Sequence, residues 1–193
     1  MQLVASVAED IPLHFLEMGE KLVRQFGPGT PELNAYALAT QFHSGALRCL
    51  TIIDQPGGGF EMDMAPGIVC LAFTAELYLK TLHLARHGKA PRGHKLHVLF
   101  GNLPPDLQAY VGERYTLRSG RDSVDFRVDV QAFGNAFADW RYVYEGPDAM
   151  HLELGRLLQF TSALFEAIQR ERPNWPYPNA RRFTMASLPR AMP

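Results

Sequence analysis

Four histidines fall close together in this 193-residue chain, at His83, His87, His94 and His97. His83 and His87 stand four apart, which on a helix is a spacing that chelates a metal ion. No His-Glu-x-x-His pattern accompanies them, and Cys49 and Cys70 lie in apolar surroundings where cysteine is an ordinary core residue. Exposed or capping histidines are therefore the expectation, with two buried thiols, no disulfide and no metal site. Nucleophilic chemistry is no better served: there is no Gly-x-Ser-x-Gly elbow and no cysteine in a polar setting. The Glu-x-x-His pairs of a di-iron bundle are missing as well. Gly57-Gly58-Gly59 does not make a phosphate loop, which needs a preceding strand, wider glycine spacing and a following Gly-Lys-Ser/Thr. No cofactor is expected. What remains is a set of charges: Glu76, Lys80 and His94 in the middle of the chain, and Arg141 among aromatic residues further on.

The first three must be positioned by the stretch from Leu71 to Phe100. Ile68, Leu71, Ala72, Ala75, Tyr78, Leu79 and Leu82 share one helical face and predict an amphipathic helix. Glu76, Lys80, His83 and His87 follow the same spacing on another face. Read alone, that second face is a solvated strip carrying one surface pair, Glu76–Lys80, worth about 0.2–0.5 kcal/mol. The functional alternative is a polar strip lining a groove between helices. Gly88 ends the helix as a left-handed residue, and Arg86 and His87 suit the negative end of its dipole. A basic turn follows, Lys89 to Lys95, and then a short helix from about His94 to Leu103.

The neighbouring segments read as further helices. Ile11, Phe15, Met18, Leu22 and Phe26 predict a first helix over 11–26, broken by Gly27-Pro28-Gly29. Thr30-Pro31-Glu32 is a strong start for a second, expected to run to about Asp54 with Leu38, Phe42, Ala46, Leu50 and Ile53 buried. Gln55 to Pro66 is a connection, with Asp63 and Pro66 setting the start of the central helix. Pro104-Pro105-Asp106 opens a helix to about Leu117. Residues 124–145 predict one helix with an aromatic seam: Phe126, Val130, Phe133, Phe137, Trp140 and Tyr144. Arg141 sits one position off that seam, and Glu145 is spaced to pair with it. The last helix runs from about Ala149 to Arg170. Beyond Arg172 five prolines exclude a continued helix, while Trp175, Tyr177 and Phe183 are large for a free tail. Part of that tail is expected to lie over the bundle or over another subunit. No segment alternates as a strand does. The fold class is therefore all-α: an antiparallel bundle of four to six helices with short connections, one domain over 1–172 and a Pro/Arg-rich tail over 173–193.

Composition sets outer bounds. The chain is 47% hydrophobic and 20% charged, as a soluble globular protein is. Its net charge of −1 provides no global basic field, so DNA is not an expected partner. No continuous run of about 18 apolar residues predicts a membrane span. The N-terminal MQLVASVAEDIP lacks a basic segment ahead of an apolar run, so no secretory leader is expected and the location is taken as cytoplasmic.

The segment Ala75-Glu76-Leu77-Tyr78-Leu79-Lys80-Thr81-Leu82, followed by Gly93-His94-Lys95-Leu96 and Leu99-Phe100, resembles the HEPN (higher eukaryotes and prokaryotes nucleotide-binding) family. Arg141-Tyr142 stands where some members carry an arginine–tyrosine pair late in the bundle. The resemblance covers about residues 65–170. It implies a compact helical bundle, a homodimer, that binds a nucleotide, RNA or a partner protein, by family analogy within a toxin–antitoxin or stress system. The ligand-binding residues it points to are Glu76, Lys80, His94, Arg141 and Tyr142, with Tyr78 and Tyr142 as stacking surface. On the scaffold alternative, Glu76 or Glu145 neutralises Arg141 and His94 caps the short helix.

HEPN ribonucleases resemble one another in an arginine followed, four to six residues on, by a histidine. Arg141 has none at that distance; the next is His151. Arg92 and His97 meet the spacing by number, but in the Gly-His-x-Leu region where the motif does not normally fall, and are read as coincidence. Metal-independent RNA cleavage needs an acceptor for the 2′-hydroxyl proton and a group to stabilise the phosphorane charge. Arg141 suits only the second role, so no catalytic residue is assigned. A ribonuclease built on Arg141 with Glu145 or His94 as a non-standard base is the enzymatic alternative. A non-catalytic dimer using the aromatic seam and the tail is the third.

Overall fold

A computed structural model describes residues 29–54, 56–141 and 153–175. The predicted helix over 11–26, the residues Tyr142, Tyr144, Glu145 and His151, and the chain beyond Trp175 lie outside these. Among the described residues the fold is all-α, with seven helices and one minimal hairpin.

Helix α1 spans Pro31–Cys49. It starts as its sequence requires: Thr30 accepts the Leu33 amide at 3.3 Å, Pro31 occupies the first turn, and Glu32 lies at the positive end. It ends five residues short of Asp54. The chain there turns into β1 (Ile53–Asp54), which pairs antiparallel with β2 (Phe60–Glu61), and Gly57, Gly58 and Gly59 all take positive φ at the tip. The expected flexible connection is thus a hairpin, and Ile53, expected inside, is 57% exposed. The central helix α2 (Met64–His87) follows. Asp63 stands at its N-cap but its side chain makes no capping bond; Gly88 closes it in the left-handed conformation, φ 68°. Gly67 lets α1 and α2 meet closely, since a Cβ there would stand 2.7 Å from the Leu50 side chain.

Short α3 (Leu96–Gly101), α4 (Pro105–Ser119), α5 (Ser123–Ala132), α6 (Ala136–Arg141) and α7 (Leu154–Glu171) complete the described elements. Helix α2 packs on α1, α3, α6 and α7, so the stretch with the central periodicity is the one the rest gathers around. Tyr78, Leu71, Leu79 and Leu82 are fully buried on it, against Phe160, Leu164 and Ile168 of α7 in the same core. By length and composition α2 is also apolar enough to cross a membrane. Two-thirds of the relevant window is covered by neighbouring helices, which accounts for its composition.

Two expectations need correction here. The aromatic run over 124–145 is not one helix: it breaks after Ala132, and α6 begins at Ala136. The break sits at Gly134, where a Cβ would overlap the His97 ring and stand 2.9 Å from the Gln131 carbonyl. The Gly134 carbonyl accepts the Leu96 amide at 3.0 Å, so the turn is stapled to the start of α3. The second concerns Cys49 and Cys70, which are free as expected but only half-buried.

Long-range ion pairs tie the ends together. Arg86 of α2 reaches Asp106 at 2.8 Å and Glu171 at 2.6 Å. Arg172 reaches Glu32 at 2.7 Å, and Trp175 packs on Tyr36 with ring centroids 4.8 Å apart. The described beginning of the tail therefore does lie on the bundle.

Candidate functional site

The polar face of α2 is not a solvated strip. Glu76 is 1% exposed and His83 is also buried. The Glu76 Oε1 accepts Lys80 Nζ at 2.8 Å and His94 Nδ1 at 2.9 Å. A carboxylate only accepts, so the Nδ1 of His94 must carry the hydrogen; in the neutral ring Nε2 then holds the lone pair. The buried Oε2 takes no hydrogen bond among the described residues. His83 is a structural group: its Nε2 bonds the Leu99 carbonyl at 2.9 Å and so joins α2 to α3.

His94 lies in the basic turn before α3, which begins at Leu96 with Lys95 at the N-cap. It does not cap that helix; it reaches back to α2. Its side chain is 67% exposed although its anchor is buried. The ring stands 6.4 Å from that of Phe137 on α6, which stacks on Phe73 at 5.2 Å. The Arg141 guanidinium lies over the Phe137 ring, 5.1 Å from its centroid. Such a cation–ring contact is worth about 0.5–1 kcal/mol at an exposed site. The structure therefore brings Glu76, Lys80 and His94 into direct contact and places Arg141 one aromatic ring away. Tyr142 lies outside the described residues. Tyr78 offers no stacking surface: it is fully buried, its hydroxyl bonded to His43 Nδ1 at 3.3 Å. Burial pushes the Tyr78 phenol well above its usual range and pulls the His43 imidazole below its own, so this pair is neutral.

A shallow pocket of about 400 Å³ opens beside His94, within the range of small-ligand sites. Arg92, His94, Lys95, Val98, Gly134 and Asn135 line it. The pocket thus joins the basic turn to the α5–α6 turn, and its lining is mostly apolar. His97 packs beneath that turn, and its buried Nδ1 takes no hydrogen bond among the described residues. The basic turn is visible in the sequence, whereas its opposite wall comes from a distant segment. The Gly134-Asn135 dipeptide, a turn signal inside the aromatic run, was the available clue.

One charged cluster went unforeseen. Asp129 on α5 is buried and accepts Tyr115 Oη at 2.7 Å, Arg156 at 3.1 Å and Arg121 at 3.2 Å. Burial and the Asp129 bond push the Tyr115 phenol upward, keeping it a donor. All three partners are satisfied within the fold, which makes the cluster a clamp joining α4, α5 and α7. Glu166 plays a similar part on α7, holding both Arg114 and Arg118 of α4. Among the described residues no group of three His, Cys, Asp or Glu side chains converges as a metal site.

No family model, curated protein or solved structure matches the chain.

Proposed function

We propose that the protein is a HEPN-like binding module that holds a phosphate-bearing ligand, a nucleotide or single-stranded RNA, at the basic turn Arg92–Lys95. One observation carries this: a buried carboxylate, Glu76, fixes an exposed histidine whose neighbours in a concave site are Arg92 and Lys95. A carboxylate kept out of water in the core is costly unless its partners are fixed. Here the partners are Lys80 and His94, so the position and tautomer of His94 are set before any ligand arrives. Arginine and lysine meet phosphate oxygens, the His94 Nε2 meets a hydroxyl or a protonated oxygen, and the exposed Val98 gives an apolar floor for a base.

The test is the thermal midpoint with and without a panel of nucleotides and short RNAs, in chelator. A ligand at a hundredfold over its Kd adds about 2.7 kcal/mol, which is about 5–10 °C for a domain of this size. The shift is expected to vanish in the Arg92→Ala/Lys95→Ala double variant. No shift with any member of the panel refutes the proposal. Light scattering on the full chain tests the homodimer that belongs to the same family-based reading.

The Glu76–His94 pair also favours a second reading, RNA cleavage without a metal. The 2′-hydroxyl proton passes to His94 Nε2, the 2′-oxygen attacks phosphorus, and the 5′-oxygen leaves, taking a proton from water. Arg141 or Arg92 stabilises the phosphorane charge. Cleavage that survives His94→Ala excludes this route.

A further inference from the structure

Of the histidines at 43, 83, 87, 94 and 97, His94 alone pairs with a carboxylate among the described residues. His43 bonds the Tyr78 hydroxyl, His83 is buried on the Leu99 carbonyl, His97 packs under the Gly134 turn, and His87 is exposed at the end of α2. Glu76 Oε1 takes the His94 Nδ1 hydrogen at 2.9 Å, so the lone pair of the neutral ring sits on Nε2. Nε2 makes no hydrogen bond among the described residues, and the side chain is 67% exposed. Its anchor is fixed: Glu76 is 1% exposed and is held by Lys80 as well. A buried carboxylate behind an imidazole whose far nitrogen is open to solvent makes that nitrogen a nucleophile. As Nε2 gives up its electron pair the ring turns cationic, and Oε1 already stands against that charge. The electrophile it suits is set by its neighbours. Arg92 and Lys95 line the same pocket, no carboxylate does, and neither cation forms an ion pair among the described residues.

We propose that His94 is a phosphorylation site, taking a phosphoryl group on Nε2 from an acyl phosphate. The Nε2 lone pair attacks phosphorus, the bond from phosphorus to the acyl oxygen breaks, and a carboxylate leaves with that electron pair. The ring then carries the positive charge, with its Nδ1 hydrogen still donated to Glu76, so no proton is supplied or removed. Arg92 and Lys95 meet the phosphoryl oxygens. Lys80 and Lys95 do not compete as nucleophiles, because an ammonium group has no lone pair. The added group carries about −1.5 to −2 charge and fills the place where a ligand's phosphate would sit. Phosphorylation therefore switches ligand binding off. That consequence rests on the proposed function, whereas the modification rests on the Glu76–His94 geometry.

The test is incubation of the full chain with acetyl phosphate, followed by peptide mapping under alkaline conditions, with the exposed His87 as internal control. The expected result is one acid-labile phosphoryl group on His94, formed about tenfold faster than any at His87 and absent from His94→Asn. Phosphorus NMR is expected to place it on Nε2. Glu76→Gln is expected to slow labelling about 10- to 100-fold, the worth of one charge-assisted hydrogen bond. It is also expected to give both the Nε2 and the Nδ1 isomer, because the tautomer is no longer fixed; a merely structural Glu76 would leave the isomer unchanged. No label at His94, labelling no faster there than at His87, or a label that survives His94→Asn overturns the proposal. Labelling is scored without RNA, so a chain that labels at His94 yet binds no RNA supports the modification and refutes the ligand alone.

Discussion

Replacing Glu76 by glutamine keeps the shape of the side chain and removes its charge. The carboxylate is 1% exposed and accepts two hydrogen bonds, from Lys80 at 2.8 Å and His94 at 2.9 Å. Breaking a fully buried pair costs about 3–5 kcal/mol, because the orphaned charge stays out of water. That figure is too large here. The Lys80 side chain is 21% exposed and that of His94 67%, so both groups can rehydrate once released. The His94 bond, at the surface, counts for about 1 kcal/mol or less. The Lys80 bond, charge-assisted and partly buried, counts for about 1.5 kcal/mol. The expected loss is therefore about 2 kcal/mol, a fall in thermal midpoint of about 4–8 °C. Calorimetry on Glu76→Gln, Lys80→Met and His94→Asn measures it, and Lys80→Met is expected to be the costlier of the two partner changes. Ligand affinity divides differently. Glu76→Gln and His94→Asn weaken binding at the basic turn, whereas Lys80→Met leaves it nearly intact. A Glu76→Gln protein as stable as the wild type, or one that binds as tightly, refutes the view that Glu76 anchors His94.

Three further outcomes follow from other parts of the fold. Asp129→Asn removes the charge and one of the two acceptor oxygens that Tyr115, Arg121 and Arg156 share, and turns an NH2 toward the arginines, so urea unfolding should show a loss of about 3 kcal/mol; a change below 1 kcal/mol contradicts the clamp. Gly134→Ala forces a Cβ into His97 and the Gln131 carbonyl; a cost of about 1–3 kcal/mol and a displaced α3 by amide exchange are expected, and a neutral effect contradicts the tight α3 contact. Burial holds the His43 imidazole below its ordinary value of 6.5, so the unfolded chain takes up a proton that the folded chain refuses. Stability therefore falls as pH drops through about 6.5, and the loss ends once the folded imidazole also protonates. Denaturation at pH 7 and pH 5 checks this, with His43→Gln expected to flatten the dependence.

Much of the scaffold was legible because local chemistry dictated it. Thr30-Pro31-Glu32 starts α1, Gly88 ends α2 with positive φ, and the stripe through Leu157, Leu164 and Ile168 buries one face of α7. The break at Gly134 was masked by the aromatic spacing. Phe126, Val130, Phe133, Phe137 and Trp140 keep a helical step across the turn because α5 and α6 face the same interior. The burial of Glu76 was hidden for another reason. Helical spacing pairs it with Lys80, a surface motif, while the residue that draws it inside, His94, comes from 18 positions away. Asp129 was invisible on the same ground, since Tyr115, Arg121 and Arg156 converge on it from separate segments and no periodicity records that. Glu76, Lys80 and His94, expected from sequence to converge, do meet. Arg92 and Asn135 needed the fold, because only the packing of α3 on the α5–α6 turn sets them around one pocket.

The claim that the basic turn holds phosphate is tested most directly by the salt dependence of RNA binding. A labelled single-stranded oligonucleotide is titrated by fluorescence anisotropy, in chelator, across a range of salt. Each neutralised phosphate contributes about 0.7 to the slope of log K against log salt for single strands. Arg92 and Lys95 are both exposed, so replacing them with alanine should leave the thermal midpoint of the free protein in place. The account predicts that the double variant binds more weakly, with a slope smaller by about 1.4 because two phosphates are no longer neutralised. A wild-type chain that does not bind, or a double variant with an unchanged slope, contradicts it.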